Sequence, residues 1–444
     1  MSKNDTRNEK IVCLLKENKE ISAYSFVSSE ITSKEMFFVK DKLDMNRAKD
    51  VVHTSVTVYK DFEADGKKMR GSALFKVFPQ DSDDVIRAKI EEAAFAARFV
   101  KNEWYPLPLP SGEQEKNVCT ISSPIESLMK MHKVIYSIYS QDARGRTLPA
   151  ADINSAEFFA TISNVRVVNS EGVDVSFVLQ KNEVELITDA EGDEGDEDVE
   201  IYGYEVHGEV DTSALNLALM QQLSHTAGRA VAKKAVRILS INVILTGEAV
   251  PKFFQFYKNQ ASSQFVYSGQ SRAKIGEAFQ KNCKGDKVSI TLDPFMKGSP
   301  YSAAYDTSGI KLEKVKIFED GVVKTYHGDA RYAHYLNIKP TGVIENMEVA
   351  PGSISNSKEL CNSPFVEISM FSDFFMDQTT GNFGGEFRLA QWFDGEDFHH
   401  ITAGSIQGNM FQVQDNMFFS KEIMQKGEYK GPQIVLIPNM EIVG

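Results

Sequence analysis

Hydrophobic residues follow two spacings along this chain, one of about 3.6 residues and one of two, and each predicts a different element. Helical spacing predicts four long helices, two of which follow acidic and hydroxyl residues that can cap a helix N-terminus. These helices are 3–18, 85–100, 127–139 and 214–239. A shorter helix rich in aromatic residues is predicted after Thr246-Gly247-Glu248.

Alternation with a period of two, often in β-branched residues, predicts strands in the remaining segments. The predicted strands are 20–40, 51–59, 71–78, 157–169, 172–181, 183–188, 241–245, 288–292, 310–318, 322–326, 387–393 and 398–406. Asp65-Gly66, Asn169-Ser170-Glu171-Gly172 and Asp394-Gly395 supply turn residues between consecutive strands, so these pairs are expected to form hairpins.

The order of elements indicates the fold class. A helix, a group of strands, a long helix and further strands occur twice, and 444 residues exceed what one hydrophobic core normally holds. We therefore predict an α+β protein made of two halves, each with a mixed or antiparallel sheet packed on long helices. The expected domains are residues 1–205 and 206–444.

Charge excludes some classes of partner. The net charge is −13, and eight of the acidic residues lie in the run Asp189–Glu200, which we expect to be a solvated loop because it lacks the spacing of an EF-hand. No cluster of Lys and Arg resembles a phosphate-binding surface, so direct nucleic-acid binding is disfavoured. No apolar run is long enough to cross a bilayer and no apolar leader opens the chain. A cytoplasmic protein without a membrane partner is expected.

The histidines and carboxylates do not assemble a recognisable reaction centre. His399 and His400 are adjacent on a predicted strand, so their side chains should point to opposite faces. His327 and His334 are seven residues apart, and His225 lies off the apolar stripe of its helix, where we expect a surface position. No G-x-S-x-G elbow or P-loop is present. We predict no catalytic residue, no metal ligand and no cofactor.

The segment Asp377–Gly408 combines glycines with aromatic residues. Its Gly384-Gly385 pair is typical of sheet backbone packed closely against a core, a partner subunit or a ligand. The Thr380-Gly381-Asn382-Phe383 sequence and the later A-G-S-I-x-G-N sequence of Ala403–Asn409 resemble the C-terminal signature of the TldD/PmbA family. Four further motifs in family order extend the resemblance: Val168–Val173, Gly285–Pro294, Tyr305–Ile310 and Glu319–Lys324.

The resemblance implies a specific kind of function. TldD/PmbA proteins are known as modulators of DNA gyrase and as cytosolic peptidases whose zinc chemistry depends on an H-E-x-x-x-H motif, expected here after Leu245. This chain reads A-V-P-K-F-F-Q-F-Y-K-N-Q in that helix, and Glu248 stands there without histidines. The resemblance therefore implies a PmbA/TldE-type subunit that is not catalytic alone, and any effect on gyrase would be indirect.

Such a subunit would form a heteromer with a metal-bearing TldD-like subunit, or a homodimer, and would help to hold a peptide substrate. The candidate peptide-binding residues, expected to offer backbone groups to an extended peptide, are Gly381, Asn382, Phe383, Gly384 and Gly385. Two alternatives remain open. One is a free-standing homodimeric peptide-binding or scaffold protein, and the other is a metallopeptidase with a non-standard site.

Overall fold

The fold is known from a computed structural model that describes residues 3–112, 121–140, 151–192, 198–355 and 363–444. Three sheets carry the architecture, and helices pack against them or between them. The α+β class predicted from the sequence is confirmed. Within the described ranges, no helix combines the length and the apolar character needed to cross a membrane.

The first sheet has six strands, all antiparallel, in the order β3-β2-β1-β4-β5-β6. The strands are β1 (Ala23–Val39), β2 (Lys42–Ala64), β3 (Lys67–Val77), β4 (Ala151–Asn169), β5 (Asp174–Ala190) and β6 (Val199–His207). The helices of this part are α1 (Lys3–Glu17), α2 (Asp83–Ala97), α3 (Pro124–Ser140) and α4 (Thr212–Ala230). The Ser82 side chain caps α2 by accepting a hydrogen bond from the N–H of Val85, within the predicted cap region.

The second half of the chain forms the other two sheets. The helices are α5 (Ala249–Gln260), α6 (Ser263–Tyr267), α7 (Ala330–Tyr335) and α8 (Met410–Val413). The strands are β7 (Lys233–Lys234), β8 (Ile238–Leu245), β9 (Ile290–Leu292), β10 (Val315–Glu319), β11 (Val322–Val323), β12 (Met347–Val349), β13 (Phe365–Met376), β14 (Asn382–Phe393), β15 (Phe398–Thr402), β16 (Gly404–Asn409), β17 (Phe418–Phe419), β18 (Ile423–Lys426), β19 (Tyr429–Pro432) and β20 (Val435–Ile442). One sheet has the order β11-β10-β9-β12-β19-β18, and the other β17-β20-β8-β13-β14-β15-β7, with β16 also paired to β14.

Helix α5 lies in the largest hydrophobic core, between these two sheets. Phe253, Phe254, Phe256 and Tyr257 are completely buried, which requires apolar neighbours on every side of the helix. Phe253 packs edge-on against Phe383 with ring centroids 5.3 Å apart, and Tyr257 meets Phe318 at 5.5 Å. The aromatic helix predicted after Glu248 is therefore a core element, and its N-terminal turn lines a cavity.

Several predicted boundaries are wrong; β2, for example, is Lys42–Ala64 where 51–59 was expected, and three differences change the elements themselves. Helix α4 ends at Ala230 instead of Leu239, because β7 pairs with β15, far along the chain. The predicted strands 172–181 and 183–188 are one continuous strand, β5. The predicted strand 398–406 divides at Ala403, whose φ of +56° interrupts it between β15 and β16.

The acidic run, expected to be a solvated loop, overlaps the end of β5 at Asp189 and Ala190 and the start of β6, a strand that was not predicted. Its residues 193–197 lie outside the described residues, whereas Val199 and Glu200 begin β6. The domain boundary expected at residue 205 stays a prediction. Helix α4, which begins after it, packs Leu215, Leu219 and Leu223 against the first sheet.

Candidate functional site

A cleft runs between β6 of the first sheet and β13 and β14 of the third sheet. One end is a cavity of about 370 Å³ lined by Ile201–Glu205, the first turn of α5 and Ser369–Phe374. The other end is a more polar cavity of about 690 Å³ lined by Asp198–Ile201, β7 and Glu386–Arg388. The two share Ile201, Ser372 and Arg388, so they form one continuous cleft along β6.

Strand β6 presents a free edge to this cleft. It pairs along its whole length with β5, from Val199 opposite Ala190 to His207 opposite Asn182, and it is the last strand of its sheet. In an antiparallel pair, alternate residues direct their N–H and C=O groups away from the partner strand. Within the described ranges, residues 199–207 make no hydrogen bond to another backbone group outside the ladder with β5. The cleft therefore contains an open template for an extended chain.

Helix α4 forms one wall of the cleft with the face that flanks its apolar stripe. Ala218, Gln222, His225 and Arg229 recur at helical spacing and line the two cavities. The amide of Gln222 donates to the carbonyl of Ile201 at 3.3 Å, so one acceptor of β6 has a side-chain partner. A Cβ at Gly203 would lie 2.9 Å from the end of the Gln222 side chain, and the glycine thus allows this close approach.

An ion-pair triad joins β6 to the start of α5. Lys426 Nζ lies 3.2 Å from a carboxylate oxygen of Glu205 and 3.6 Å from one of Glu248. Burial acts to lower the pKa of Lys426, but the two carboxylates outweigh it and raise the pKa above its ordinary value. Glu248 occupies the N-cap position of α5 without bonding a backbone N–H there, so its charge is directed to Lys426.

The surface position predicted for His225 is wrong. The side chain is half-buried and lines the smaller cavity. Burial, the charge of Lys426 and the neighbouring His400 lower its pKa, so the imidazole is neutral at physiological pH. A histidine beside the apolar stripe is half-buried here because a second wall of the cleft, from the other half of the chain, covers that face.

The remaining histidines occupy separate environments. His399 Nε2 lies 3.0 Å from Asp394 Oδ2 at the exposed end of β15, whereas His400 lies against α4 near Gly228. His327 is buried, its Nε2 lies 2.8 Å from the carbonyl oxygen of Lys258, and burial lowers its pKa to about 4. His334 packs against the Trp104 ring at 5.8 Å.

The donor set near α5 does not fit a zinc ion. Zinc sites in proteins take three or four His, Cys, Asp or Glu ligands around one point. No group of three or more such residues with suitable placement occurs in the part of the chain that the structure describes. Glu248, at the start of the helix, is instead paired with Lys426.

The segment proposed from the sequence to bind peptide lies at the start of β14 and is paired on both sides. Gly384 is opposite Phe375 on β13 and Gln407 on β16, and Gly385 is opposite Phe374 and Ile406. A Cβ at Gly385 would lie 2.2 Å from the carbonyl oxygen of Asp373. These glycines thus permit close sheet packing, as the sequence predicted.

The same pairing leaves the segment without a free backbone edge. Gly381 has a φ of +74° in the turn before the strand, Asn382 is exposed and Phe383 is buried. A peptide-binding role for Gly381, Asn382, Phe383, Gly384 and Gly385 stays a prediction, but not by strand addition. Sequence reasoning missed the open edge at β6, although the alternation Val199-Glu200-Ile201-Tyr202 was a signal for it.

The structure and one family model define the class of the chain. Residues 239–444, which form the second and third sheets, match the family model described as the PmbA/TldA metallopeptidase C-terminal domain. The chain therefore carries a domain of the TldD/PmbA family over residues 239–444, in agreement with the resemblance found in its sequence. No curated protein sequence matches it significantly.

Three solved structures share the fold over nearly the whole chain. TldE from Thermococcus kodakarensis superposes with a TM-score of 0.77 at 16% identity, covering 99% of this chain and 100% of that one. A proposed modulator of a DNA gyrase from Thermotoga maritima gives 0.72 at 16% identity, covering 100% of both chains. A similar protein from Bacteroides thetaiotaomicron gives 0.75 at 12% identity, covering 100% of this chain and 99% of that one. At these identities the likeness establishes the fold.

Proposed function

We propose that this chain is a PmbA/TldE-like, metal-free subunit of a cytoplasmic TldD/PmbA-type peptidase system, and that it holds an extended peptide in the cleft along β6. The observation that carries the proposal is the free β6 edge lining both cavities. Backbone groups on such an edge bind extended peptides with little dependence on side chains, which suits a protein that handles peptides or unfolded segments.

The metal-bearing partner in this proposal is a TldD-like subunit. The α5 helix, where the family resemblance places the zinc motif, is filled with buried aromatic side chains and carries no histidine. The chain therefore contributes the peptide-binding wall, and the partner contributes the hydrolytic centre.

Peptide binding is tested with backbone-methylated peptides. Fluorescence anisotropy would compare an unmodified peptide with two isomers, one N-methylated at odd positions and the other at even positions. Strand addition uses alternate N–H groups, so one isomer should lose most of its affinity and the other should retain it. Equal affinity of both isomers, or no binding by any peptide, would contradict the proposal.

The subunit role is tested by metal analysis and copurification. The purified chain should hold no stoichiometric zinc and should cleave peptides only with a TldD-like protein added. Zinc and peptidase activity in the chain alone would support the non-standard metallopeptidase instead. Recovery only as a self-dimer from cells that contain a TldD-like protein would favour the free-standing binding protein.

A further inference from the structure

Arg388 lies at the point where the two cavities of the cleft meet. It is on β14, and together with Ser372 and Ile201 it lines both cavities. A peptide added to the edge of β6 would pass this guanidinium. This position makes Arg388 the one cation shared by the two ends of the cleft within the described ranges.

The guanidinium of Arg388 has no carboxylate partner in the described part of the chain. Its Nε donates a hydrogen bond to Ser372 Oγ at 3.4 Å, and its two terminal nitrogens have no acceptor among the described residues. Arg70 and Arg166, in contrast, each make a two-pronged ion pair, with Asp61 and with Asp174. The N–H groups of an unpaired guanidinium can donate two parallel hydrogen bonds to the two oxygens of a carboxylate.

Three further cations line the larger cavity beside Arg388, namely Arg229, Lys233 and Lys234. Arg229 is in the last turn of α4, and Lys234 is on β7, which pairs with β15 so that Lys234 stands opposite Thr402. Thr402 Oγ1 in turn donates to the carbonyl of Arg388 at 2.7 Å. Arg229 and Lys234 have no carboxylate within ion-pair distance among the described residues.

Acidic residues also line this cavity, and two of them already accept hydrogen bonds. Glu200 accepts from the Asn154 amide at 3.1 Å, and Asp198 accepts from the N–H of Gly192 at 3.4 Å. The third, Glu386, is exposed and makes no ion pair with Arg388. None of these three carboxylates forms an ion pair with Arg388 in the described part of the chain, so its guanidinium stays open to the carboxylate of a ligand.

We infer that Arg388 binds a carboxylate of the peptide held along β6, which makes the cleft selective for peptides carrying a carboxylate at that point. The inference rests on the proposed peptide-binding function and adds the class of ligand. The carboxylate is either the C-terminus of the peptide or an Asp or Glu side chain, since both present the same planar pair of oxygens.

The test uses the purified full chain and four labelled peptides of one sequence. They combine a free or amidated C-terminus with an internal Glu or Gln. The peptide that lacks the recognised carboxylate should bind about tenfold more weakly than the one that carries it, because a charge-assisted hydrogen-bond pair at an exposed site is lost. A loss of affinity on amidation identifies the C-terminus as the recognised carboxylate, and a loss on exchange of Glu for Gln identifies the side chain.

Variants separate Arg388 from general electrostatic attraction. Arg388→Gln should weaken binding of the recognised peptide about tenfold and leave its neutral analogue unchanged, and Arg388→Lys should recover only part of the loss. Arg237→Gln is the matched control, since Arg237 is exposed and outside both cavities. It should alter neither peptide's affinity.

The outcomes distinguish this inference from the function on which it rests. If all four peptides bind equally well while the alternating effect of N-methylation persists, carboxylate recognition is wrong and peptide binding stands. Equal losses with Arg388→Gln and Arg237→Gln would also overturn the inference. If no peptide binds, both proposals are wrong.

Discussion

The edge of β6 and the first residues of β14 are both glycine-containing strand segments beside the same cleft, but their backbones are used differently. Gly385 is enclosed by β13 and β16, whereas Gly203 on β6 has a strand on one side and a flexible side chain nearby. Glycine in a strand therefore indicates close approach, and it does not indicate whether an edge is free. Position in the strand order decides that, and strand order is a non-local property.

The largest expected effect comes from a side chain at Gly385. Gly385→Ala would place its Cβ against the carbonyl oxygen of Asp373, a backbone atom that cannot move without disrupting the sheet. We expect a loss of about 3 kcal/mol or more in the free energy of unfolding, measured by chemical denaturation. A loss below about 1 kcal/mol would show that the two strands are less constrained than the pairing implies.

Acid should destabilise the protein more through the buried His327 than through His225, which lines the cleft. The folded pKa of His327 is about 4 and lies below its unfolded value of 6.5, so the unfolded chain binds the proton first. Stability should therefore fall as pH drops from 6.5 to 4, by up to about 1.4 kcal/mol per pH unit from this group.

His327→Gln should flatten that dependence, as measured by denaturation at several pH values. His225→Gln serves as the cleft control. Burial also lowers the pKa of His225, but this side chain is half-buried whereas His327 is buried, so its removal should change the profile less. An unchanged acid profile in His327→Gln would contradict this assignment.

Removing the cation of the Glu205–Lys426–Glu248 triad should change the free energy of unfolding by a smaller amount. Lys426→Met leaves Glu205 and Glu248 without their shared cation, and we expect a loss of about 1 kcal/mol at pH 7, since Glu248 is largely exposed. The folded pKa of Lys426 is raised, so its contribution is complete below the unfolded pKa and disappears as pH rises through the folded one.

The difference in stability between Lys426→Met and the unaltered chain should therefore shrink at strongly alkaline pH. Differential scanning fluorimetry of both proteins across that range measures it. A difference that is the same at neutral and alkaline pH would mean that packing of the lysine stem, and not its charge, supplies the stability.

The smallest effect is expected at Gly203. In Gly203→Ala the new Cβ would contact the end of the Gln222 side chain, which can rotate away. The free energy of unfolding should therefore change by less than about 1 kcal/mol. Peptide affinity should also persist, because the backbone of β6 is retained. A destabilisation as large as that of Gly385→Ala would remove the contrast between the two segments.

Local patterns predicted those elements whose partners are near in sequence. The hairpins β2–β3 and β4–β5, helix α2 with its Ser82 cap and the hairpin from β14 to β15 follow from alternation, capping and turn residues. Helix α4 was predicted too long because residues 231–239 keep helical spacing, and their pairing with distant β15 prevails. The walls of the cleft, residues 199–207 and 369–388, come together only through tertiary packing, so the site could not be predicted.

The left-handed backbone at Gly247 has a consequence for any attempt to endow this chain with hydrolytic activity. If Glu248 served as the glutamate of an H-E-x-x-x-H sequence, histidines would be required at positions 247 and 252. Lys252 is exposed and lines the cavity, so it could be exchanged. Gly247 has a φ of +60°, and a Cβ there would lie 3.2 Å from the carbonyl oxygen of Ser369. Two point mutations would not install the ligands, and the loop that enters α5 would first have to be rebuilt.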